Sequence, residues 1–215
     1  MARSDTQDRA RGRPQLRPDA ETRQIIYEAS RHEFAANGYA ATSMEAVARL
    51  AGVSTKTLYR LIPNKASLFE GMVSDRLDRF LSEFNLQAAD HTDIAEALRA
   101  ALMSCADLML DHDVVALQRM ILQETGKFSD LAGTFYKNGI RRTVAALADW
   151  LRAQQARGLI VLDDADEAAG MLIGMLSSAP QRAAIFGGLP MPSREAIEAR
   201  VRSCVKLFLR GCLSA

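Results

Sequence analysis

The segment TKTLYR, which begins at Thr55, concentrates side chains that can donate hydrogen bonds. Thr55 and Thr57 carry hydroxyls, Tyr59 carries a phenol, and Lys56 and Arg60 carry positive charges. Such groups can bind phosphate oxygens and reach the acceptors on base edges in a major groove. The same composition also occurs on ordinary solvated helices, so the neighbouring residues decide between the two interpretations.

The neighbouring residues predict two short helices joined by a tight turn. Thr42 and Glu45 fit a capping box, which places a helix start at Thr42 or Ser43. Gly52 is expected to end this helix, and Ser54 can cap the next one. The pattern is that of a helix-turn-helix whose second helix turns its polar side chains outward.

Longer helices are predicted on both sides of this pair. Apolar residues keep helical spacing over residues 20–37, and Gly38 is expected to end that helix in a left-handed conformation. Downstream, Pro63 disfavours helical geometry in the residue before it, and Asn64 can cap a fourth helix. That fourth helix is rich in apolar residues, so we expect it to be packed against other helices.

Composition limits the class of protein. A chain of 215 residues with 48% hydrophobic residues can bury a sizeable core. Cys105, Cys204 and Cys212 are scattered and form no CxxC spacing, which predicts neither disulfides nor a zinc site. The polar N-terminal residues and the absence of a long apolar run predict a cytoplasmic protein that does not enter a membrane.

Positive charge is concentrated near the N-terminus. Residues 1–65 hold eleven Lys and Arg against seven Asp and Glu, whereas the whole chain has a net charge of only +1. A basic first third suggests that this part meets a polyanion. Within it, Arg11-Gly12-Arg13-Pro14 resembles the core of an AT-hook, in which arginines enter a narrow minor groove. A disordered, solubilising tail is the alternative for this arm, and the sequence leaves both open.

The run from Glu21 to Phe84 resembles the DNA-binding domain of the TetR (tetracycline repressor) family. The resemblance rests on a combination of short motifs, namely Phe34, Gly38-Tyr39, Thr42-Ser43, Val47-Ala48, Ala51-Gly52-Val53-Ser54, Thr57-Leu58-Tyr59 and Lys65-x-x-Leu68. It implies that Thr42 and Ser43 lie at a phosphate, that residues 55–60 enter the major groove, and that Lys65 holds the DNA backbone. The partner would be a palindromic double-stranded operator.

This chain departs from the family pattern at two places in the recognition helix. Lys56 stands where the family commonly has glycine, which adds a possible contact. Leu61-Ile62 stands where many relatives have a His-Phe pair, which removes a polar contact. The operator need not match that of any relative.

The remainder is predicted to be helical as well, which makes the fold all-α. Helical patterns cover residues 94–110, 114–124, 129–155, 166–186 and 193–213. Parts of this region are similar to the C-terminal domains of the AefR-like subgroup. We therefore expect a flexible basic arm (1–19), a helix-turn-helix domain (20–66) and a helical effector-binding and dimerisation domain (67–215).

The resemblance implies that the C-terminal domain holds a small-molecule effector between its helices. Met103, Phe135 and Trp150 could supply apolar contacts, and Arg119, Gln123 and Tyr136 could orient a ligand. Each of these residues would also suit an ordinary core or surface.

The last two long helices are predicted to form a homodimer interface. Gly170 and Gly174 are four residues apart and share one helix face, which suggests the close approach of another helix. We assign the interface to these glycines together with Ile173, Ser177, Val201, Val205 and Phe208. Two such helices from each subunit would make a four-helix bundle, although the same stripes could pack within one subunit.

The sequence contains no set of residues typical of catalysis. It has no GxSxG, P-loop or GxGxxG motif, and we predict no cofactor, no metal site and no enzymatic activity. The expected function is a DNA-binding transcriptional regulator, a repressor that a small-molecule effector releases from its operator. An effector-independent architectural protein and an all-helical enzyme are the alternatives.

Overall fold

The computed structural model describes residues 17–88, 93–124 and 126–212, and within them it contains helices and no strand. The α-helices are α1 (Asp19–Ala41), α2 (Met44–Leu50), α3 (Thr55–Leu61), α4 (Lys65–Ala88), α5 (Ile94–Met109), α6 (His112–Glu124), α7 (Ser129–Phe135), α8 (Arg141–Ala156), α9 (Ala165–Gly187) and α10 (Arg194–Cys212). A π-helical segment, Tyr136–Ile140, joins α7 to α8. The predicted all-α fold is confirmed, and the helix predicted over 129–155 is interrupted by this π-helical segment.

The turn between α2 and α3 depends on one glycine with a positive φ. Gly52 adopts a φ of 65°. Its amide donates to the carbonyl oxygen of Arg49 at 3.2 Å, and the Val53 amide donates to that of Ala48 at 3.0 Å. These two bonds satisfy the last carbonyl groups of α2 and require a left-handed residue at Gly52. The predicted end of this helix is confirmed.

The predicted starts of α3 and α4 are also confirmed. The Ser54 hydroxyl accepts a hydrogen bond from the Thr57 amide at 3.0 Å, and Asn64 Oδ1 accepts one from the Ser67 amide at 2.8 Å. Ile62, just before Pro63, has an extended backbone and is no longer helical. The short recognition helix is therefore fixed at both ends by local interactions.

The capping box predicted for α2 was wrong. Ser43 is the capping residue, because its hydroxyl accepts the Ala46 amide at 3.1 Å. The Thr42 hydroxyl instead turns back to the carbonyl oxygen of Gly38 at 2.8 Å. A capping box on Ser43 would need a glutamate or glutamine three residues later, at Ala46, and Glu45 is one residue too early.

Gly38 bends α1 without ending it. Its φ of 80° is positive, as predicted, but its ψ of 167° lies outside the left-handed helical region. The chain makes one more turn before Thr42. This kink faces α6, since a Cβ on Gly38 would lie 3.6 Å from Glu124 Oε1.

The buried side chains form two cores, and α4 contributes to both. The N-terminal half of α4 packs with α1, α2 and α3, and this core also takes in residues of α6 and α7. The C-terminal half of α4 packs with α5, α8, α9 and α10. The first core therefore reaches beyond residues 20–66, and α4 links it to the second.

Pro180 lies inside α9, where proline normally disrupts a helix. It lacks the amide that would bond to the carbonyl oxygen of Leu176, four residues earlier. Arg200 of α10 replaces that donor, because its Nε lies 2.8 Å from the Leu176 oxygen and 2.9 Å from the Met175 oxygen. This side chain both satisfies the broken turn and ties α10 to α9.

Helices α1 and α4 approach closely at Gly71. A Cβ placed on Gly71 would lie 2.4 Å from the Tyr27 hydroxyl and 2.6 Å from Tyr27 Cζ. Such distances are too short for real contacts, so any side chain at this position must displace the Tyr27 ring. The close fit of α4 against α1 therefore depends on glycine as long as the Tyr27 ring stays in place.

We expect Gly71→Ala to destabilise the protein. Overpacking costs about 1–3 kcal/mol, and the roughly 1 kcal/mol gained in helix propensity offsets only part of it. Gly133→Ala is the matched control, because nothing lies within 4 Å of a Cβ there. Urea denaturation should show Gly71→Ala below wild type and Gly133→Ala at or above it. Equal stability of the two variants would mean that Tyr27 moves aside at no cost.

Candidate nucleic-acid interface and internal cavity

The recognition helix α3 has one buried side and one exposed side. Leu58 is fully buried (0% exposed) against the N-terminal core. Thr55, Lys56, Tyr59 and Arg60 are exposed, and Thr57 is half-buried. The structure thus brings the five side chains singled out in the sequence onto the solvent side of α3.

Two of these side chains already have carboxylate partners. Arg60 donates from both terminal nitrogens to Asp19, each at 2.8 Å, and this hydrogen bonding raises the pKa of the guanidinium. The Tyr59 hydroxyl donates to Glu45 Oε1 at 3.2 Å. Desolvation and the Glu45 carboxylate raise the pKa of the phenol, which keeps it a neutral donor. DNA phosphates would compete with both carboxylates for these donors.

Of the two residues expected at a phosphate, only Ser43 has an exposed side chain. Thr42 is 3% exposed, and its hydroxyl lies 2.8 Å from the Gly38 oxygen and 3.2 Å from the Glu33 oxygen. Ser43 is exposed at the N-terminus of α2. Thr42 therefore shapes the turn, and the Ser43 side chain faces solvent.

Lys65 is directed into the protein rather than outward. Its Nζ donates to the carbonyl oxygens of Tyr39, Ala40 and Thr42 at 2.8, 3.2 and 2.9 Å. It also lies 4.6 Å from the centre of the Tyr39 ring. Burial lowers the pKa of this ammonium, and the Glu124 carboxylate opposes part of the shift. All three hydrogens of Lys65 thus have acceptors in the turn between α1 and α2.

We expect Lys65→Met to lower the free energy of unfolding by about 1–2 kcal/mol, because three carbonyl oxygens lose a donor in a half-buried site. Methionine keeps a similar apolar stem, so packing changes little. Lys56→Met is the control, since Lys56 is exposed and such substitutions usually stay within about 0.5 kcal/mol. Chemical denaturation measures both. An unchanged midpoint for Lys65→Met would show that solvent replaces the ammonium.

A small cavity lies between α1, α4, α6, the π-helical segment and α8. Its volume is about 70 Å³, well below the roughly 300–1,000 Å³ of a typical small-molecule pocket. Its walls are mostly apolar. The lining residues are Arg31, Met72, Val73, Arg76, Leu77, Leu108, Met109, Val114, Leu117, Gln118, Phe135, Gly139, Ile140 and Thr143.

Two arginines of the cavity wall are paired with aspartates at the start of α6. Arg31 Nη1 lies 3.2 Å from Asp113 Oδ2, and Arg76 Nη2 lies 3.1 Å from Asp111 Oδ2. Arg31 also contacts Glu28 at 2.5 Å. One arginine belongs to α1 and the other to α4, so these ion pairs connect both helices to the start of α6, at Asp111 just before it and Asp113 in its first turn.

Most residues predicted to bind an effector lie elsewhere, and only Phe135 lines the cavity. Met103 and Trp150 are buried in the second core, and Trp150 borders a separate groove between α4 and α8. Gln123 and Tyr136 are exposed. Arg119 donates to the carbonyl oxygen of Ala184 at 2.7 Å near the end of α9. These five residues do not line the cavity: two are packed in the second core, one bonds to the end of α9 and two are exposed to solvent.

The residues predicted to form the dimer interface fall into a buried group and a group that is exposed or half-buried. Ile173, Ser177, Val201 and Val205 are buried within the subunit, so their side chains pack against its own core. This burial disfavours the four side chains as interface residues, because each helix turns them inward, and their assignment stays a prediction. Gly170 is exposed, and Gly174 and Phe208 are half-buried.

Other residues of α9 and α10 are exposed instead. Met171 is 58% exposed, Phe186 74% and Leu207 65%. With Gly170 and Gly174 they form what we call the exposed α9–α10 surface. Exposed apolar side chains of this size are candidates for an interaction surface where they lie together.

Family comparisons identify both halves of the chain. Residues 26–72 match the family described as bacterial regulatory proteins, tetR family. Residues 96–211, more than half of the chain, match the C-terminal domain of AefR-like transcriptional repressors. The chain belongs to the TetR family. It is therefore a transcriptional regulator with a helix-turn-helix DNA-binding domain.

Solved structures agree with the TetR-family assignment. A protein from Mesorhizobium loti, assigned to the TetR family of transcriptional regulators, is 27% identical, with a TM-score of 0.79 over 92% of this chain and 100% of its own. The flavonoid-responsive regulator FrrA is 30% identical, with a TM-score of 0.66 over 90% of this chain and 97% of its own.

More distant structures share the fold. The fatty acid degradation regulator FadR from Bacillus halodurans is 19% identical, with a TM-score of 0.71 over 88% of this chain and 95% of its own. A search of curated proteins finds no match.

Sequence reasoning missed several residues that matter in this TetR-family structure. Arg31 and Arg76 line the cavity, but single arginines on helices give no distinctive sequence signal. Arg23 donates from Nη1 to the carbonyl oxygen of Leu61 at 3.3 Å, which supports the end of α3. Only its position on α1, next to a basic arm, could have singled it out.

Other chemistry finds little support in the described part of this TetR-family chain. It holds no cluster of three or more His, Cys, Asp or Glu that could bind a metal, and none of its helices is long and apolar enough to cross a membrane. Cys105 is buried, and burial raises the pKa of its thiol to about 12. A thiol with that pKa is a poor nucleophile.

Proposed function

We propose that this chain is a repressor that binds a palindromic operator through α3 and is released when a small molecule enters the cavity. The observation that carries the proposal is the exposed polar face of α3, from Thr55 to Arg60, held on a helix-turn-helix by the buried Leu58. Its side chains combine donors for base edges with charges for phosphates.

Contacts to DNA divide into reading and positioning groups. Thr55, Lys56, Thr57, Tyr59 and Arg60 enter the major groove. The exposed Ser43 hydroxyl lies at a phosphate. Thr42 and Lys65 act through the shape of the turn between α1 and α2, because their polar atoms are bonded within the protein.

The basic arm adds a second contact region, although Arg11 and Arg13 lie outside the described residues. We expect deletion of residues 1–17 to weaken operator binding without changing thermal stability, since arginines there would enter the adjacent minor groove. Fluorescence anisotropy at low salt gives the affinity, and circular dichroism gives the stability. Unchanged affinity would leave the arm as a solubilising tail.

A second copy of the chain is the partner that fits the exposed α9–α10 surface. TetR-family regulators are dimers. A two-fold interface uses the same patch from both subunits, and small residues such as Gly170 and Gly174 allow helices to approach closely. The apolar side chains around them would leave water on dimerisation.

The effector site is the cavity beside Arg31 and Arg76. Its apolar walls and few polar groups are typical of ligand sites. The related regulator FrrA is flavonoid-responsive. At about 70 Å³ the cavity must widen to admit a small-molecule effector, and widening it shifts one or more of the helices that line it, among which are α1 and α4.

Selection of bound fragments from a random duplex pool tests this function. We expect a palindromic consensus whose affinity falls steeply with salt, as displaced counterions require. Compounds can then be screened for release of that DNA. Binding without sequence preference would favour an architectural protein. A ligand that stabilises the protein but leaves operator affinity unchanged would count against coupling.

A further inference from the structure

Two arginines of the cavity wall each carry a buried N–H group that lacks an acceptor. Among the described residues, four buried side-chain atoms have no hydrogen-bond partner, and two of them are Arg31 Nε and Arg76 Nε. Both residues line the same cavity. Buried polar groups are nearly always satisfied, so two orphaned N–H groups beside one cavity indicate that something else supplies the acceptor.

Three of the terminal nitrogens of these arginines are paired with carboxylates. Arg31 contacts Asp113 and Glu28 through Nη1 and Nη2, and Arg76 contacts Asp111 through Nη2. The ion pairs hold each guanidinium in place. The Nε–H groups are the buried donors of these side chains that have no acceptor within the protein.

Charge around the arginines disfavours an anionic ligand. The ion pairs extend through Arg79, which contacts both Glu28 and Asp75. The linked groups are Arg31, Arg76, Arg79, Glu28, Asp75, Asp111 and Asp113. Three cations face four anions, so the cluster carries one excess negative charge with histidine counted as neutral. A carboxylate would meet this excess or displace an aspartate, whereas an uncharged oxygen accepts the same hydrogen bonds without either cost.

The rest of the wall accommodates an apolar body. Met72, Val73, Leu77, Leu117, Phe135 and Ile140 face the cavity. Thr143, a polar residue of the lining, already donates its hydroxyl hydrogen to the Gly139 oxygen at 3.1 Å. The site is thus apolar apart from a few donor-bearing groups, among which the arginines stand out as unsatisfied.

We propose that the effector is an uncharged, lipophilic carbonyl compound whose oxygen accepts hydrogen bonds from Arg31 and Arg76. This inference rests on the proposal that the cavity is the effector site. The carbonyl satisfies donors on α1 and α4 at once, so the bound compound contacts the two helices that form the first core. The carboxylates of Asp111 and Asp113 keep their partners.

Three aromatic probes of similar size test the chemical class on the full-length protein: propiophenone, propylbenzene and 3-phenylpropanoate. The ketone offers a neutral acceptor, the hydrocarbon offers none, and the acid offers a charged one. We expect the ketone to bind at least about 10-fold more tightly than the hydrocarbon, and more tightly than the acid. Nitrogen-15 spectra should show the Nε–H signals of Arg31 and Arg76 shifting with the ketone.

Three results would overturn the proposal. Equal affinity for ketone and hydrocarbon would mean that water satisfies the arginines. Tightest binding of 3-phenylpropanoate would show an anion site instead. No binding of any probe at millimolar concentration would show that the cavity does not accept this class.

A matched pair of variants assigns the hydrogen bond. Arg76→Lys keeps a positive charge near Asp111 but removes Nε–H, and Arg79→Lys makes the same change one turn along α4, at a residue that does not line this cavity. Selectivity for ketone over hydrocarbon should fall toward unity in Arg76→Lys and persist in Arg79→Lys. Equal selectivity in both variants would show that Arg76 does not donate the hydrogen bond to the ketone.

The inference and the proposed function fail in different ways. Ketone binding without any change in operator affinity would support the proposed ligand class but contradict its coupling to DNA binding. If an acid releases the operator but does not compete with the ketone for binding, the repressor function would be supported and the proposed ligand class would be contradicted.

Discussion

Gly174→Arg is expected to convert the protein to monomers and to abolish specific operator binding. In the subunit a Cβ on Gly174 has only Ser178 Oγ nearby, at 3.9 Å, so arginine fits the monomer and projects from the exposed α9–α10 surface. In a two-fold dimer it would place two buried like charges in a small-residue contact. Two recognition helices reach successive major grooves, about 34 Å apart, only when the dimer fixes their separation.

Sedimentation velocity and anisotropy on the same samples measure both effects. Ala153→Arg is the control, because it adds the same charge at an exposed site on α8. Helix content should be unchanged in both variants, and only Gly174→Arg should lose the dimer. Wild-type protein that sediments as a monomer at micromolar concentration yet binds its palindrome tightly would contradict the dimer account.

Alanine at Lys56 or Arg60 is expected to change which operator variants the protein prefers. A good contact to a base edge contributes about 1–3 kcal/mol of discrimination. Each variant should therefore lose much more affinity for the selected operator than for random duplex. Equal losses on the two DNAs would mean that the side chain touches phosphates only.

A second test of Arg60 should raise operator affinity instead of lowering it, because Asp19 accepts two hydrogen bonds from Arg60. Asp19→Asn removes the carboxylate that accepts both Arg60 hydrogen bonds, so Arg60 becomes free for DNA and operator affinity should rise. Glu21→Gln is the matched control. It removes the same charge from α1, where Glu21 pairs only loosely with Arg17 at 3.8 Å. Equal gains in operator affinity from the two substitutions would mean that the loss of a negative charge, and not the release of Arg60, causes the gain.

Local chemistry made the helix-turn-helix predictable. Ser54 and Asn64 cap through their own side chains, and Gly52 closes its turn through a conformation that glycine readily adopts. These signals lie within a few residues of the structure they determine. The family resemblance added the identity of the partner, and it rested on the same residues.

Features that depend on distant residues could not be predicted in this way. The apolar stripe with Val201 and Val205 was identified, but which side of a helix turns inward depends on its neighbours. Pro180 gives no hint that Arg200 repairs its broken turn. Lys65 matched a DNA-binding position, yet its three acceptors become visible only when α1 and α4 are packed.

Hydroxyl-radical footprinting of the wild-type dimer on its selected operator tests the central claim most directly. Two heads that read DNA through residues 55–60 should protect two patches on one face of the duplex, with half-site centres about one helical turn apart or a multiple of it. The same patches should weaken in Arg60→Ala. Uniform protection along the duplex, or two patches unaffected by any substitution in residues 55–60, would contradict recognition through α3.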